Sequence, residues 1–231
     1  MKAVILDLKA LGADAELQAL QALPLDWHIH QTTSPEQVLE RIKDADIVLT
    51  TKVRLDKALI NQCLSLKYIG VMATGTNNID VAYAKSQNIV VQNISHYSTY
   101  SVAQHTMAMM LSLASALPTN ALAASNGQWA KSDMFCLLDH PVLELRGKTL
   151  LIVGSGALGS EVGRLAEAFG MKLLKAKVPG SSSGKGRIDL DEGLAVADVV
   201  SLHCPLTEQT KHLIDQTRLQ RMKQTAILIN T

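Results

Sequence analysis

The hexapeptide Gly154-Ser155-Gly156-Ala157-Leu158-Gly159 constrains this chain more than any other stretch. It follows an apolar run, Thr149 to Val153, that reads as a strand. It opens the segment Ala157 to Phe169, which reads as a helix with Leu158, Val162, Leu165, Ala166 and Phe169 along one face. At such a junction each glycine has its own task. Gly154 permits a tight turn, Gly156 lets the backbone approach a pyrophosphate with no Cβ in the way, and Gly159 allows the helix to lie close on the strand. The N–H groups near Ala157 and Leu158 then point at the anion, aided by the helix dipole. Strand, turn and helix together predict a dinucleotide-binding β-α-β unit for NAD(H) or NADP(H).

The remaining pattern is that of an α/β protein with parallel sheets. Short apolar runs at Val4–Leu6, Ile47–Leu49, Tyr68–Val71 and Ile89–Val91, with a plausible strand at Asp26–His30, alternate with helical stretches at Asp14–Leu23 and Pro35–Ile42. Ser98 to Leu117 reads as one long helix, apolar around most of its circumference and therefore buried on nearly all sides. Pro118 to Pro141 is poorly periodic, and oligomer contact is one use for such a segment. After Lys148 a second α/β unit follows, with strands at Thr149–Val153, Met171–Leu174, Val199–Leu202 and Ala226–Ile229 and a Gly/Ser/Lys loop from Pro179 to Gly186.

Composition narrows the function classes. The formal net charge is +1 and aromatic residues make up 3%, so neither an electrostatic nor a stacking case for nucleic acid exists. Cys63, Cys136 and Cys204 are odd in number and far apart, which suggests neither a disulfide framework nor a zinc site. No apolar stretch reaches the length of a membrane helix, and the N-terminal run is too short for a signal peptide. A cytoplasmic setting without membrane or nucleic acid is the expectation. None of the seven histidines has a metal-ligand spacing, and none is assigned as an acid or base.

Three further positions invite a ligand. A carboxylate usually stands about 20 residues past the glycines to hold the adenosine ribose, but here the second strand ends in Lys175-Ala176-Lys177. Lys177 would attract a 2′-phosphate, with Ser181, Ser182, Ser183, Lys185 and Arg187 as further donors; equally, it is a solvated strand-end lysine. His203-Cys204-Pro205 lies beyond a strand's carboxyl end, placed either to meet the adenosine side or as an ordinary turn with a half-buried thiol. Ala73 to Asn78 is a small, polar loop that reads as an anion-binding nest or as a simple helix-capping turn.

The segments 67–80, 97–111, 136–159 and 197–214 resemble the D-isomer-specific 2-hydroxyacid dehydrogenases, and Cys136 to Pro141 is especially similar to the glycerate dehydrogenase, or hydroxypyruvate reductase, branch. The resemblance implies a flavodoxin-like substrate domain over residues 1–98 and an incomplete Rossmann cofactor domain over 99–231, with a dimerisation helix and loop at 98–147 and the active site in the cleft between the domains. It implies that Thr74 and Gly75 bind the substrate carboxylate through backbone N–H groups. It implies cofactor contacts at Val102, Thr106, Ala157, Leu158, Lys177, Cys204, Pro205, Thr210 and Thr231, and a homodimer. The implied reaction is hydride transfer between NAD or NADP and a small 2-hydroxy or 2-keto acid: hydroxypyruvate/D-glycerate, or glyoxylate/glycolate.

Departures accompany the likeness. Tyr100 stands where an acidic or small polar residue is common, and Lys177 replaces the ribose carboxylate. The family's catalytic Arg, Glu and His all fall beyond Thr231, so the expectation is a C-terminally incomplete enzyme, inactive alone as the 231 residues given. A non-catalytic nucleotide-binding or dimerising module is the alternative.

Overall fold

The computed structural model describes residues 1–181 and 184–231. Ser182 and Ser183, two of the loop donors named above, lie outside the described residues. The chain divides into two compact units, Met1–Tyr97 and Ser98–Thr231.

The first unit holds strands β1 (Lys2–Ile5), β2 (Asp26–Ile29), β3 (Ile47–Thr50), β4 (Tyr68–Val71) and β5 (Val90–Asn93), all parallel, in the order β2-β1-β3-β4-β5. That is the flavodoxin-like order. Helices α1 (Gln18–Gln21), α2 (Val38–Ile42), α3 (Lys57–Ile60) and α4 (Val81–Ser86) lie between the strands. Val4, Val48 and Ile69 from the sheet, Leu6 just past β1, and Val38 and Ile42 from α2 share one buried cluster. The helix expected over Asp14–Leu23 shrinks to the single turn of α1, which has no side-chain cap and buries no residue. Without an apolar face to bury, a lone turn cannot propagate.

The second unit opens with α5 (Thr99–Ala114), α6 (Leu117–Ser125) and α7 (Gln128–Lys131). The single helix expected over Ser98–Leu117 therefore breaks near its end. Ala116 takes a left-handed φ of 49°, and Pro118 sits in the first turn of α6, where its missing N–H costs nothing. Nor is α5 buried all round within its unit. Ala103, Thr106, Met107, Met110 and Ala114 are covered, while Leu113 is 58% exposed. Among the described residues no single helix is long and apolar enough to cross a membrane; α5 and α6 satisfy length and composition only as a pair bent by 62°.

Strands β6 (Thr149–Val153), β7 (Lys172–Lys175), β8 (Val199–Leu202) and β9 (Ile227–Asn230) form a parallel sheet ordered β7-β6-β8-β9. A one-residue parallel bridge, Ala176 to Ile188, continues the chain beside β7's end. Counted as a reduced third strand, it gives the Rossmann order 3-2-1-4-5. Helix α8 (Ala157–Ala168) and α5 cover one face, where Val162 and Ala166 join Met107, Met110, Leu150 and Ile152. Helix α9 (Leu190–Val196) covers the other through Leu190 and Leu194 against Leu151, Val153 and Val200. Helix α10 (Gln216–Arg221) precedes β9.

Candidate dinucleotide and carboxylate sites

Strand register sets the candidate cofactor site of the second unit. Val153 aligns with Leu202, and Leu202 with Asn230, so Gly154, His203 and Thr231 leave the sheet in one row at its carboxyl edge. In open α/β sheets this is the ligand edge.

Gly154 has φ +101°, and a Cβ there would sit 2.5 Å from the Cys204 nitrogen and the His203 carbonyl carbon. The β6–α8 turn and the His203-Cys204-Pro205 turn thus meet at backbone contact, and the His203 N–H donates to Val153 O at 2.7 Å. A Cβ on Gly159 would fall 2.0 Å from the Gly154 carbonyl oxygen, so close packing of α8 on its strand requires a glycine. Gly156 differs: a Cβ there meets nothing within 4 Å. Neither local strain nor crowding explains that glycine, whose φ of −71° any residue adopts. Its neighbourhood is open space in front of a helix N-terminus.

That N-terminus carries no side-chain cap. The first backbone bond of α8 runs from Ser160 N–H to Gly156 O at 2.9 Å, leaving the Ala157, Leu158 and Gly159 N–H groups ahead of it. Three donors, an open approach and a helix dipole fit a pyrophosphate. A dinucleotide is the group these residues suit.

The flanking turn is built to stay neutral. Burial lowers the His203 imidazole to about 4. Its Nε2 lies 2.8 Å from Ser201 Oγ, while Nδ1 is buried with no partner among the described residues. Burial likewise pushes the Cys204 thiol up, and the Cys63 thiol up to about 11, so neither is a ready nucleophile. Thr210 is buried, and its Oγ1 donates to Pro205 O at 2.6 Å while accepting from Thr207 N–H at 2.8 Å. Its hydroxyl braces the turn that carries Cys204 and Pro205. Thr106 is also buried and donates to Val102 O at 2.8 Å within α5. Lys177 is exposed, and its N–H donates to Ile188 O at 2.8 Å.

One contact had no signal in the sequence pattern. Arg187 Nη2 donates to Ser155 Oγ at 3.2 Å, linking the glycine turn to a residue 32 positions later.

In the first unit, Thr74 and Gly75 are exposed in the loop after β4. Among the described residues neither N–H is engaged within the chain. The loop itself is held: Asn93 Nδ2 donates to Thr74 O at 2.7 Å, and Asn78 Nδ2 donates to Val53 O at 3.1 Å. The neighbouring loop after β3 is held by Asp7, a buried carboxylate that accepts the Thr51 and Lys52 N–H groups at 2.8 Å each. Sequence reading missed Asp7 and Asn93, and the bracing bond of Asn78, since each acts through a partner distant in the chain. Two free N–H groups on a braced loop suit a carboxylate. Among the described residues no cluster of three or more His, Cys, Asp or Glu side chains is placed to hold a metal ion.

Residues 107–231 match the family model described as D-isomer specific 2-hydroxyacid dehydrogenase, NAD binding domain. The glycerate dehydrogenase of Methylorubrum extorquens is 39% identical over 231 residues, covering 100% of this chain and 72% of that protein. The hydroxypyruvate reductase of Blautia hydrogenotrophica is 35% identical over 237 residues, covering 100% and 74%. Among solved structures, D-lactate dehydrogenase from Aquifex aeolicus, complexed with NAD and lactic acid, superposes with a TM-score of 0.85 at 30% identity, over 99% of this chain and 68% of that one.

Proposed function

The chain belongs to the D-isomer specific 2-hydroxyacid dehydrogenase family, and on that premise we propose that it serves hydride transfer between NAD or NADP and a small 2-keto or 2-hydroxy acid. Hydroxypyruvate/D-glycerate is the favoured pair, by likeness to the glycerate dehydrogenase and hydroxypyruvate reductase relatives, with glyoxylate/glycolate next. The observation that carries this reading is the open space at Gly156 before the uncapped α8.

Each residue then has a task. Gly154 and Gly159 keep the turn tight, and the Ala157 and Leu158 N–H groups hold the pyrophosphate beside Gly156. Cys204 and Pro205, braced by Thr210, border the adenosine, with Lys177 at its ribose. Val102, Thr106 and Thr231 complete the cofactor contacts that the family resemblance implies. Thr74 and Gly75 orient the substrate through its carboxylate. The bound nicotinamide would supply or accept the hydride. The protein's share is placement and charge, which the fixed backbone donors provide without reorganisation.

By the family resemblance, the catalytic Arg, Glu and His are not among these 231 residues. A polypeptide of these residues alone is therefore expected to bind the cofactor without turning over substrate. The second reading is a nucleotide-binding and dimerising module. The dimer reading rests on the outer face of α5 and α6, where Leu113, Leu117 and Leu122 are each more than half exposed.

The test is a fluorescence titration with NADH and NADPH, alongside hydroxypyruvate-dependent oxidation of each. Binding without turnover by the 231 residues, and turnover once they are joined to the remaining length of a close relative, supports the enzyme reading. Cofactor binding with no turnover in the joined protein supports the module. Failure to bind either cofactor refutes both.

A further inference from the structure

We propose that Arg187, seated on the glycine turn by Ser155, reads the 2′ position of the adenosine ribose and selects a 2′-phosphorylated dinucleotide. This rests on the dinucleotide reading above and adds which dinucleotide the site prefers.

Three observations converge on the end of β7. The first is the bridge between Ala176 and Ile188, with Lys177 N–H to Ile188 O at 2.8 Å and Ile188 N–H to Lys175 O at 2.9 Å. It sets Arg187 beside the strand end that in a dinucleotide fold faces the ribose. The second is the guanidinium itself. Nη2 donates to Ser155 Oγ at 3.2 Å and Nη1 to Ser181 Oγ at 3.4 Å, so the fork spans from the glycine turn to the loop after β7. Gly184 lies against the same group: a Cβ there would be 3.3 Å from Nε. The third is charge. The position that usually carries a ribose-binding carboxylate is occupied by Lys177. The nearby acids have other duties: Asp189 accepts the Asp191 N–H at 2.9 Å to cap α9, and Asp191 pairs with Arg218 Nε at 2.9 Å.

The chemistry follows from these positions. A carboxylate at the strand end accepts hydrogen bonds from a 2′-hydroxyl and repels a 2′-phosphate. A planar guanidinium does the reverse, offering paired donors to phosphate oxygens. With Ser155 and Ser181 at its two ends, Arg187 is held in orientation before the phosphate arrives, which limits the ordering cost of binding.

The experiment compares AMP with adenosine 2′,5′-bisphosphate by titration calorimetry on the whole chain, since the two differ only in the 2′-phosphate. The bisphosphate is expected to bind at least about tenfold more tightly, with a preference that falls as salt rises. Arg187→Gln should abolish the preference, so that within that variant the bisphosphate binds no more tightly than AMP; Arg187→Lys should restore part of it. Equal affinities, tighter binding of AMP, or a preference that survives Arg187→Gln but disappears in Lys177→Ala would each overturn the assignment to Arg187. AMP binding with no gain from the 2′-phosphate sinks this inference alone, whereas failure of both ligands to bind sinks the dinucleotide reading with it.

Discussion

Replacing Gly159 by alanine tests the turn more sharply than any other single change. The added Cβ would lie 2.0 Å from the Gly154 carbonyl oxygen and 2.9 Å from Ile152 Cγ2. An ordinary C···O contact is about 3.3 Å or longer, so more than an ångström must be found. Gly154 has little room to shift, because its Cβ side faces the His203 and Cys204 backbone closely. Helix α8 must move instead, and it carries Val162 and Ala166 into the core shared with Met107 and Met110. Overpacking of this kind costs about 1–3 kcal/mol, and a clash against fixed backbone belongs at the upper end. For a unit of this size that is a fall in Tm on the order of 10 °C. Gly156→Ala is the control. It meets nothing within 4 Å, and alanine at a helix N-cap costs only about 0.5–1 kcal/mol. Thermal melts followed by circular dichroism, paired with NADH titration, should therefore separate the two: Gly159→Ala destabilised, Gly156→Ala close to wild-type in stability but deficient in binding. A Gly159→Ala melt within a degree or two of wild type would refute the packing argument. Unimpaired NADH binding by Gly156→Ala would refute the pyrophosphate argument.

Three further outcomes are expected. Asp7→Ala leaves the Thr51 and Lys52 N–H groups without their acceptor and should cost about 2–4 kcal/mol in urea unfolding, read from Trp27 in a Trp129→Phe background, with Asp7→Asn milder. His203 has a folded-state value lowered by burial to about 4, so the unfolded chain takes up its proton first as pH falls from 6.5. Stability should drop through that window by at most about 1.4 kcal/mol per pH unit, less what partial exposure screens, and His203→Gln should remove this contribution to the slope of urea-derived ΔG against pH. Leu113→Asp and Leu117→Asp should convert the proposed dimer to a monomer in sedimentation velocity; an unchanged sedimentation coefficient would remove the dimer reading.

The parts of this molecule that could be read from sequence are those whose constraint is local. The β6–α8 turn was legible because its backbone path needs glycine at 154 and 159, and the approach of an anion explains the third at 156. The strands were legible because parallel sheets bury both faces and so write continuous apolar runs. Helices α3, α9 and α10 were missed because one or two turns show no periodicity. Their signal lay in the caps: Asp56, Asp189 and Asp215 each accept a first-turn N–H. The end of α5 was misplaced because the left-handed turn at Ala116 leaves no mark in an apolar run. The Arg187–Ser155 link was invisible, since a bond across 32 residues exists only once the β7 edge and the glycine turn are built.

The excursion between Lys177 and Ile188 has a consequence for how such a chain changes over time. Both of its feet are pinned by main-chain bonds that any residue except proline can make. Between them the described residues make no strand pairing, and doubling the length of a loop costs only about 0.6 kcal/mol in closure entropy. The proposed adenosine end of the site is thus a module that can be rewritten while the frame stands still. The β6–α8 turn a few ångströms away tolerates almost no edit. Inheritance can therefore alter the dialect in which a dinucleotide is recognised while the grammar of the fold is kept.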